Sequence, residues 1–296
     1  MRFAIACVFL GLCLRAPFGR GAPWLSQRNF FGEFSYLTKL SQVCGDLCRV
    51  HAGDFSDGVF FRQRSVDVDC HAIFSDSVFI ARGHGRAEPP RDIPASLLDD
   101  FTLDGVIPVT KRYFNQKYLP SNAKTSTWTR ELVSSWTKLA SKGRLKGNYG
   151  TVETNHLRNA LKHAPGVRDG RVLVIGSENP WVEACVLEAG ASRVVTLEYG
   201  KITSLHPSVA TLTPSEFKND YLRGKLGLFD AIVTFSSVEH SGLGRYGDAL
   251  NPWGDVLEIA RAHCVCKPGG SLVVAVMYGS DAVSYTHLTL PTKRIV

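Results

Sequence analysis

Side chains that can carry out acid–base chemistry cluster in one stretch of the sequence, Phe229–Asp255, which reads FDAIVTFSSVEHSGLGRYGDALNPWGD. A histidine beside a carboxylate can remove a proton from a substrate, so we predict that His240 is a general base and that Glu239 orients it. Arg245 is suited to bind an acidic group of the substrate, and Asp248 to bind a hydroxyl or an amine. The residue types therefore predict a reaction centre within this stretch.

The same residues also permit a structural interpretation, which the sequence leaves open. The glycines Gly242, Gly244 and Gly247 favour a tightly shaped loop. Within such a loop Arg245 and Asp248 can pair with each other instead of binding a substrate. A serine hydrolase is a poorer account, because the sequence has no G-x-S-x-G turn of the kind that presents the nucleophile in α/β-hydrolases.

The reactive stretch begins as a strand and continues as a loop. Phe229–Phe235 is rich in β-branched and aromatic residues, which is typical of a buried strand, and Ser236 follows it directly. In open α/β sheets, ligands bind outside the carboxyl ends of the strands. We therefore expect the loop after Phe235 to lie at a ligand-binding edge.

Several apolar segments of the sequence alternate with helical segments. The helices are predicted to begin near Pro180, to cover Pro214–Leu222 and to end near Cys266, with Asn179 capping the first and the turn Lys267–Gly270 following the last. This alternation predicts an α/β fold with a doubly wound, mostly parallel sheet. The predicted strands are Arg171–Gly176, Ser192–Glu198, Val209–Leu212, Phe229–Phe235 and Ser271–Met277.

The ends of the first two strands indicate a cofactor site. Glu198 follows Gly176 by 22 residues, the position from which an acid binds the hydroxyls of a ribose. The first turn, Gly-Ser-Glu-Asn-Pro-Trp, is not the G-x-G-x-x-G that approaches a pyrophosphate, so a dinucleotide is disfavoured. S-adenosylmethionine has no phosphates and tolerates this turn better. The alternative is that Glu198 simply ends a strand in solvent.

The order of the motifs RVLVIG, VVTLE, FDAIVTFSSVEH and KPGGSLVVAV resembles that of the class I S-adenosylmethionine-dependent methyltransferases. The resemblance implies a Rossmann-like sheet in which Gly176 and Ser177 hold the methionine part of the cofactor and Glu198 its ribose. It also implies that Ser236–His240 faces the reaction centre, with Ser236 against the cofactor. The sequence departs from that family because the usual glycine-rich loop is reduced to Gly176.

A second resemblance is more specific. The segments Gly176–Trp181 and Ser236–Asp255 are similar to the signature motifs of an uncharacterised eukaryotic family of unknown function, best known from nematodes. The similarity covers Tyr149–Ala282, and more loosely Ile93–Trp136. It implies that the altered first turn is a feature of the family, but it implies no particular reaction.

Two hypotheses from different functional classes follow. The first is an S-adenosylmethionine-dependent methyltransferase that acts on an unknown small-molecule or glycan-like acceptor. The second is a non-catalytic Rossmann-like binding protein that has lost the cofactor, which the poor first turn favours. In the first hypothesis the cofactor-binding residues are Gly176, Ser177, Glu198 and Ser236.

Residues 1–22 have the composition of a targeting segment. Arg2 precedes the apolar run Phe3–Leu14, and small residues follow, which is typical of a secretory signal. The arginines Arg15 and Arg20, without a nearby acid, also suit an organelle transit segment. We expect the secretory pathway or the extracellular space, with an organelle as the alternative. The apolar run is short for a membrane span, so none is expected.

The rest of the chain divides into a weakly patterned N-terminal accessory region, residues 23–148, the α/β domain, residues 149–282, and a tail. Val283–Thr292 (VSYTHLTLPT) resembles a translated transposon-end adapter of sequencing libraries. We therefore expect residues 283–296 to be non-native and the domain to be truncated at its C-terminal end. Outside the sheet, helices are predicted at Phe30–Cys48, Thr127–Leu145 and Thr151–His163, and short strands at Val59–Phe61 and Ser77–Ala81.

The positive charge of the chain does not indicate nucleic acid as a partner. The formal net charge is +7, but three arginines lie in residues 1–22 and one lysine and one arginine in residues 283–296, with no acid in either segment. The remaining body of the chain therefore carries only +2. A charge this small predicts no polyanionic partner.

The cysteines permit disulfides if the chain is secreted. We expect such bonds among the N-terminal cysteines, and we expect the later cysteines to be small buried side chains on helices. No paired ligand spacing supports a metal site at Cys70, His71 and His84. The N-terminal cysteines are Cys44, Cys48 and Cys70, and the later cysteines are Cys185, Cys264 and Cys266.

Overall fold

The computed structural model of the chain describes residues 2–9, 70–75, 90, 92–102, 105, 109–110, 125–278, 283–284 and 287–288. The helix predicted at residues 30–48 and the strands predicted at residues 59–61 and 77–81 lie outside these residues. The strands are β1 (Arg2–Phe9), β2 (Val109–Thr110), β3 (Ser126–Trp128), β4 (Arg171–Ile175), β5 (Arg193–Leu197), β6 (Ile202–Ser204), β7 (Val209–Leu212), β8 (Phe229–Phe235), β9 (Cys266–Tyr278), β10 (Val283–Ser284) and β11 (His287–Leu288). The helices are α1 (Cys70–Ser75), α2 (Ala95–Thr102), α3 (Arg130–Ser141), α4 (Thr151–His163), α5 (Trp181–Glu188), α6 (Pro214–Leu222) and α7 (Gly254–Val265), with a 3-10 turn at Val238–His240.

A six-stranded sheet forms the centre of the fold, in the spatial order β1-β9-β8-β4-β5-β7. The five strands from β9 to β7 are parallel to their neighbours, and β1 is antiparallel to β9. The order reverses at β4, because the chain first builds outward to β7 and then returns to add β8 and β9 on the other side. The predicted doubly wound, Rossmann-like sheet is confirmed. The remaining strands form two small sheets, β11-β10-β2 and β3-β6.

The sheet is buried on both faces, which explains why its strands are continuous apolar runs. Along β4, Val172 and Val174 lie in the core shared with α3, α4 and α5. Leu173 and Ile175 point to the other face, in the core shared with α6 and α7. Burial of a large aliphatic side chain contributes about 1.5–3 kcal/mol, so these two cores fix the helices on either side of the sheet.

The turn predicted at Lys267–Gly270 is part of β9 in the structure. Phe229 pairs with Cys266 and Ala231 with Ser271, so the residues between Cys266 and Ser271 form a bulge opposite a single residue of β8. That residue, Asp230, accepts a hydrogen bond from the Lys267 ammonium at 2.7 Å. The glycine-rich segment therefore bends the strand where it enters the sheet.

The start of α5 also differs from the prediction. Asn179 does not cap the helix, because the capping position is held by Pro180 and has no side-chain hydrogen bond. The carbonyl of Asn179 instead accepts a hydrogen bond from the Ser177 hydroxyl at 2.7 Å. In contrast, α6 begins with a complete capping box between Thr213 and Glu216, as its sequence favours.

The segment predicted to carry a targeting signal contributes β1 to the edge of the sheet. Residues Arg2–Phe9 pair antiparallel with β9 from Tyr278 to Ser271. The removal of residues 1–22 in the cell stays a prediction. Across the helices of the described residues, none is both long and apolar enough to cross a membrane.

A disulfide joins the N-terminal accessory region to the α/β domain. Cys70 on α1 is bonded to Cys264 on α7, so the expectation that Cys264 is an unbonded buried cysteine is wrong. The bond forms because α1 packs on the outer face of α6 and α7, where Phe74 stacks on Tyr221 with ring centroids 3.7 Å apart. Cys185 and Cys266 are free and buried, although Cys266 begins a strand and is not on a helix.

Removing this disulfide is expected to destabilise the protein. The bond closes a loop of 194 residues, and cross-links of this kind typically contribute about 2–4 kcal/mol to the free energy of unfolding. Denaturant unfolding of the Cys70→Ser/Cys264→Ser double variant measures this loss. A thiol reductant should bring the wild type to the value of the double variant and leave the double variant unchanged. Equal stabilities of the oxidised wild type and the double variant would contradict the expectation.

Candidate functional site

The ends of three parallel strands converge at one edge of the sheet. Ile175, the last residue of β4, is paired with Leu197 of β5 and with Thr234 of β8. The residues that follow these strands, Gly176, Glu198 and the loop from Ser236, therefore lie side by side. The amide of Gly176 donates a hydrogen bond to the Leu197 carbonyl at 2.8 Å, which holds the first turn against β5.

Ser236 begins the loop in a strained conformation. Its φ of +47° lies in the left-handed region, which residues other than glycine seldom adopt. Its amide still donates to the Ala275 carbonyl of β9 at 2.8 Å, so the strand ends only at this residue. Strain of about 1–3 kcal/mol at the end of a strand is a common feature of functional sites. The buried Ser236 hydroxyl makes no hydrogen bond within the described part of the chain.

Glu239 is the most deeply buried of the predicted catalytic residues. Burial raises the pKa of its carboxyl to about 7, against the opposing effects of the Ser236 hydroxyl and the loop amides, and the nearby Asp255 makes a smaller contribution in the same direction as burial. Neither carboxyl oxygen forms a hydrogen bond of good geometry with any described residue. Glu239 is therefore a carboxyl close to its titration point near neutral pH, with both oxygens available to another partner.

His240 lies next to Glu239 and is also buried. Its Nε2 is 3.9 Å from Glu239 Oε1, which is longer than a hydrogen bond. The edge of the imidazole instead faces the ring of Tyr246, with centroids 5.9 Å apart. The structure thus places the predicted base and its predicted orienting carboxylate side by side without a direct hydrogen bond between them.

Two tyrosines complete the cluster: Tyr246, which the reactive loop sequence contains, and Tyr149, which the sequence did not indicate. Tyr149, just before α4, packs on Phe235 with ring centroids 5.3 Å apart, and its hydroxyl lies beside Ser236. Burial raises the pKa of Tyr149, and Glu239 raises it further. Tyr246 lies in the loop itself, with the Arg245 guanidinium 5.6 Å from the centre of its ring. Tyr149 reaches the site from outside the strand–loop motifs, so no local pattern announces it.

The Asp248 side chain holds the shape of the loop by binding backbone amides of other loop residues. Its carboxylate accepts hydrogen bonds from the amides of Gly242 at 2.8 Å, Tyr246 at 3.2 Å and Gly244 at 3.4 Å. Burial raises the pKa of Asp248, while these amides act in the opposite direction. The arrangement favours the loop-shaping interpretation of Asp248 over contact with a substrate.

The glycines of the loop allow the backbone at its two ends to pack closely together. A Cβ at Gly242 would collide with the carbonyl of Asn251, and a Cβ at Gly254 would collide with the carbonyl of Ser241. The loop therefore returns onto its own starting point before α7 begins. This close approach explains why the segment from Ser236 to Asp255 needs glycine at residues 242 and 254.

The first turn is occupied by contacts within the protein. A Cβ at Gly176 would collide with the Ser237 hydroxyl, and the φ of Gly176 is +73°. The Ser177 hydroxyl is buried, 2.7 Å from the Asn179 carbonyl and 2.9 Å from Glu183 Oε2. Of the residues predicted to hold a cofactor, these two face other parts of the chain.

Glu198 lies between the first turn and the loop. It is mostly buried, and its Oε1 accepts a hydrogen bond from the amide of Gly200 at 3.3 Å. The Glu198 carboxylate raises the pKa values of both Glu183, beside the first turn, and Tyr246, in the loop after β8. Its charge therefore lies close to both the turn and the loop. The alternative that Glu198 ends its strand in solvent is not supported.

Glu183 is a further buried carboxyl that the sequence analysis missed. It lies on α5, is fully buried, and accepts a hydrogen bond from the Thr196 hydroxyl at 2.7 Å. Burial raises its pKa to about 7. A charged residue within the apolar helix sequence WVEACVLE was the available signal.

The described residues contain no cluster of three His, Cys, Asp or Glu side chains that could hold a metal ion. Cys70 and His71 lie on α1, and the Cys70 sulfur is bonded to Cys264. His84 is outside the described residues.

Residues 169–292 match the family described as Caenorhabditis protein of unknown function, DUF268. The match spans the chain from just before β4 and includes both signature segments, which supports the resemblance to the uncharacterised nematode family. It also extends over residues 283–292, and the adapter origin of the tail stays a prediction. Comparison with the curated proteins and with the solved structures found no match.

The contact between Gly176 and Ser237 predicts a strong effect of a single methyl group. Gly269→Ala is a matched control, because Gly269 has a φ of +78° and open space around its Cβ position. We expect the control to lose about 1–2 kcal/mol from the left-handed backbone alone, and Gly176→Ala to lose about 1–3 kcal/mol more from the collision. Denaturant unfolding measures both, and Ser237→Gly should restore part of the difference. Equal losses at the two glycines would contradict the close contact.

Proposed function

We propose that the protein is an S-adenosylmethionine-dependent methyltransferase whose reaction centre is the loop of residues 236–248. The observation that carries the proposal is the convergence of Glu198, Ser236 and Glu239 at the carboxyl edge of the parallel sheet. This is the edge at which open α/β sheets bind ligands. The motif order that resembles the class I methyltransferases adds support.

The described residues fit the cofactor unevenly. Glu198 fits the ribose role, because it is a largely buried carboxyl at the end of β5. Ser236 fits a cofactor contact, because its buried hydroxyl has no hydrogen bond in the described part of the chain. Ser177 does not fit, since its hydroxyl is already engaged, so we assign cofactor binding to Glu198 and Ser236, next to the backbone of Gly176.

The buried Glu239 is the group best suited to remove a proton at neutral pH. When bound, S-adenosylmethionine supplies an electrophilic methyl group. The transfer would break the sulfur–methyl bond and release S-adenosylhomocysteine, and the Glu239 carboxylate would accept the proton that the acceptor hydroxyl or amine gives up. A base with a pKa of about 7 is matched to this task, and its oxygens have no competing hydrogen bond among the described residues.

The neighbouring side chains bind and enclose the acceptor. Arg245, beside the Tyr246 ring, pairs with an acidic group of a small-molecule or glycan-like acceptor. The rings of Tyr149 and Tyr246 provide apolar surface beside the reacting group and exclude water from Glu239. His240, whose Nε2 is 3.9 Å from Glu239 Oε1, is a second basic group beside this carboxylate.

The alternative function is a non-catalytic binding protein with a methyltransferase-like fold. The specific observation that favours it is the first turn, where Ser237 and Glu183 fill the positions that a cofactor would contact. Titration of the protein with S-adenosylmethionine, described below, decides between the two functions.

We also propose that the protein works in an oxidising compartment. The Cys70–Cys264 bond supports the secretory pathway or the extracellular space over an organelle, since disulfides are rare where thiols are kept reduced. The small net charge of the body of the chain gives no support for nucleic acid as a partner.

Binding of the cofactor tests the proposal directly. Calorimetric titration of S-adenosylmethionine into the protein should give heat. Glu198→Ala should weaken binding by about 1–3 kcal/mol, the cost of leaving ribose hydroxyls unpaired, while the exposed Glu131→Ala should have no effect. Absence of binding at millimolar cofactor would end the enzyme hypothesis and favour the alternative. Unchanged affinity in Glu198→Ala would remove Glu198 from the site.

Turnover should depend on ionised Glu239. The rate of the wild type is expected to rise with pH up to about 7 and then level off, because only the carboxylate accepts a proton. Glu239→Gln should lose more than about 100-fold in rate at every pH and keep its cofactor affinity. Formation of S-adenosylhomocysteine with a metabolite extract as the acceptor source measures the rate. Full activity of Glu239→Gln would assign the base to another residue, and His240→Ala identifies whether that residue is His240.

A further inference from the structure

A buried glutamic acid under the first turn has no part in the proposed reaction. Glu183 Oε1 is 2.7 Å from the Thr196 hydroxyl of β5, and Glu183 Oε2 is 2.9 Å from the Ser177 hydroxyl. The Ser177 hydroxyl is in turn 2.7 Å from the Asn179 carbonyl. These groups form one chain of contacts that runs from β5 to the turn after β4.

The number of protons available to this series of contacts determines the charge of Glu183. A serine or threonine hydroxyl has one proton to donate. The Thr196 proton is used on Glu183 Oε1, and the single Ser177 proton cannot serve both of its acceptors fully. With ionised Glu183, either Oε2 or the Asn179 carbonyl therefore lacks the Ser177 proton. With a proton on Oε2, Glu183 donates to Ser177 and Ser177 donates to Asn179, so that every short contact is a hydrogen bond.

We propose that Glu183 is a positioning residue that is held as the neutral acid in the native protein, and that its proton fixes the turn of residues 176–180 against β5. This assignment does not depend on the proposed methyl transfer. It names the side chain that shapes the first turn of the site, whatever ligand the site binds.

The surroundings of Glu183 favour the neutral form. Burial is the largest effect on its pKa, and the Glu198 carboxylate at the end of β5 acts in the same direction. The buried side chains that β4 and α3 contribute to this core are apolar. From α4, the Arg158 guanidinium is engaged 2.7 Å from Glu188, at the other end of α5. The partners that oppose burial are neutral hydroxyls and an amide.

The neutral acid links the stability of the turn to pH. The folded pKa of about 7 is above the ordinary value of 4.5, so the folded protein binds an extra proton between these two values. The resulting stability is fully present below about pH 4.5 and is lost as the pH rises through about 7. Ionisation removes the hydrogen bond from Glu183 to Ser177, so the loss begins in the turn beside Gly176.

Glu183→Gln tests the assignment, because the glutamine amide can donate to Ser177 and accept from Thr196 without titrating. We expect its unfolding equilibrium constant to match the wild type at pH 5. Between pH 5 and 7 the constant of the wild type should rise about 40-fold more than that of the variant, since the folded pKa is about 7 and the ordinary value 4.5. Glu131→Gln, at an exposed position on α3, is the control and should keep the wild-type pH dependence. Equal pH dependence of the wild type and Glu183→Gln would overturn the proposal.

Two measurements on folded protein give a readout at the turn itself. Amide hydrogen exchange of residues 176–180, corrected for its intrinsic pH dependence, should accelerate from pH 6 to pH 8 in the wild type and not in Glu183→Gln. If that variant does not fold, carboxyl-carbon NMR of the Glu239→Gln protein should still detect one glutamate that titrates near pH 7. The proposal fails if no glutamate of that protein titrates above pH 6, or if exchange at the turn is independent of Glu183. Neither experiment uses a cofactor, so failure of the proposed methyl transfer leaves both interpretable.

Discussion

The close contact between the first turn and the loop after β8 constrains the whole functional edge of the protein. At Gly176 the backbone approaches Ser237 so closely that a single methyl group would not fit. Because β4 is paired with both β5 and β8, this contact fixes the position of Glu198 relative to Ser236. A displacement of the turn would therefore move Glu198 and Ser236 relative to each other.

Desolvation is the second physical effect that shapes the site. Transfer of an ionised carboxylate into a protein interior costs several kcal/mol, whereas a single hydrogen bond returns only about 1 kcal/mol. Burial therefore raises the pKa values of Glu183 and Glu239 to about 7 and that of Asp255 to about 6. Similar pKa values do not imply similar roles. Glu183 has hydroxyl partners on both carboxyl oxygens, while neither Glu239 oxygen makes a hydrogen bond of good geometry with a described residue. The first carboxyl is suited to hold structure, and the second to react.

The parts of the fold that depend on local sequence were predicted closely. Pro214–Leu222 is a helix with the predicted bounds, because a capping residue, a proline and a glutamate mark its first turn. Phe229–Phe235 is a strand with the predicted bounds, because its apolar run is long enough to lie under helices on both faces. The predictions that failed concern contacts between distant segments. The Lys267–Gly270 turn became a bulge because β8 pairs on both sides of it, and Cys264 became a disulfide partner because α1 packs on α7.

The sequence by itself determined the alternation of strands and helices, and with it the edge at which Glu198 and the loop from Ser236 lie. Periodicity, capping residues and apolar runs act over a few residues, so one chain is enough to read them. The tertiary structure decided which side chains meet at that edge and in what state. It brought Tyr149 to Ser236, engaged Asp248 with the loop amides, and buried Glu183 against β5 and the first turn. Hydrogen-bond partners and desolvation depend on segments that are far apart in the sequence, and only their packing fixes which groups lose water.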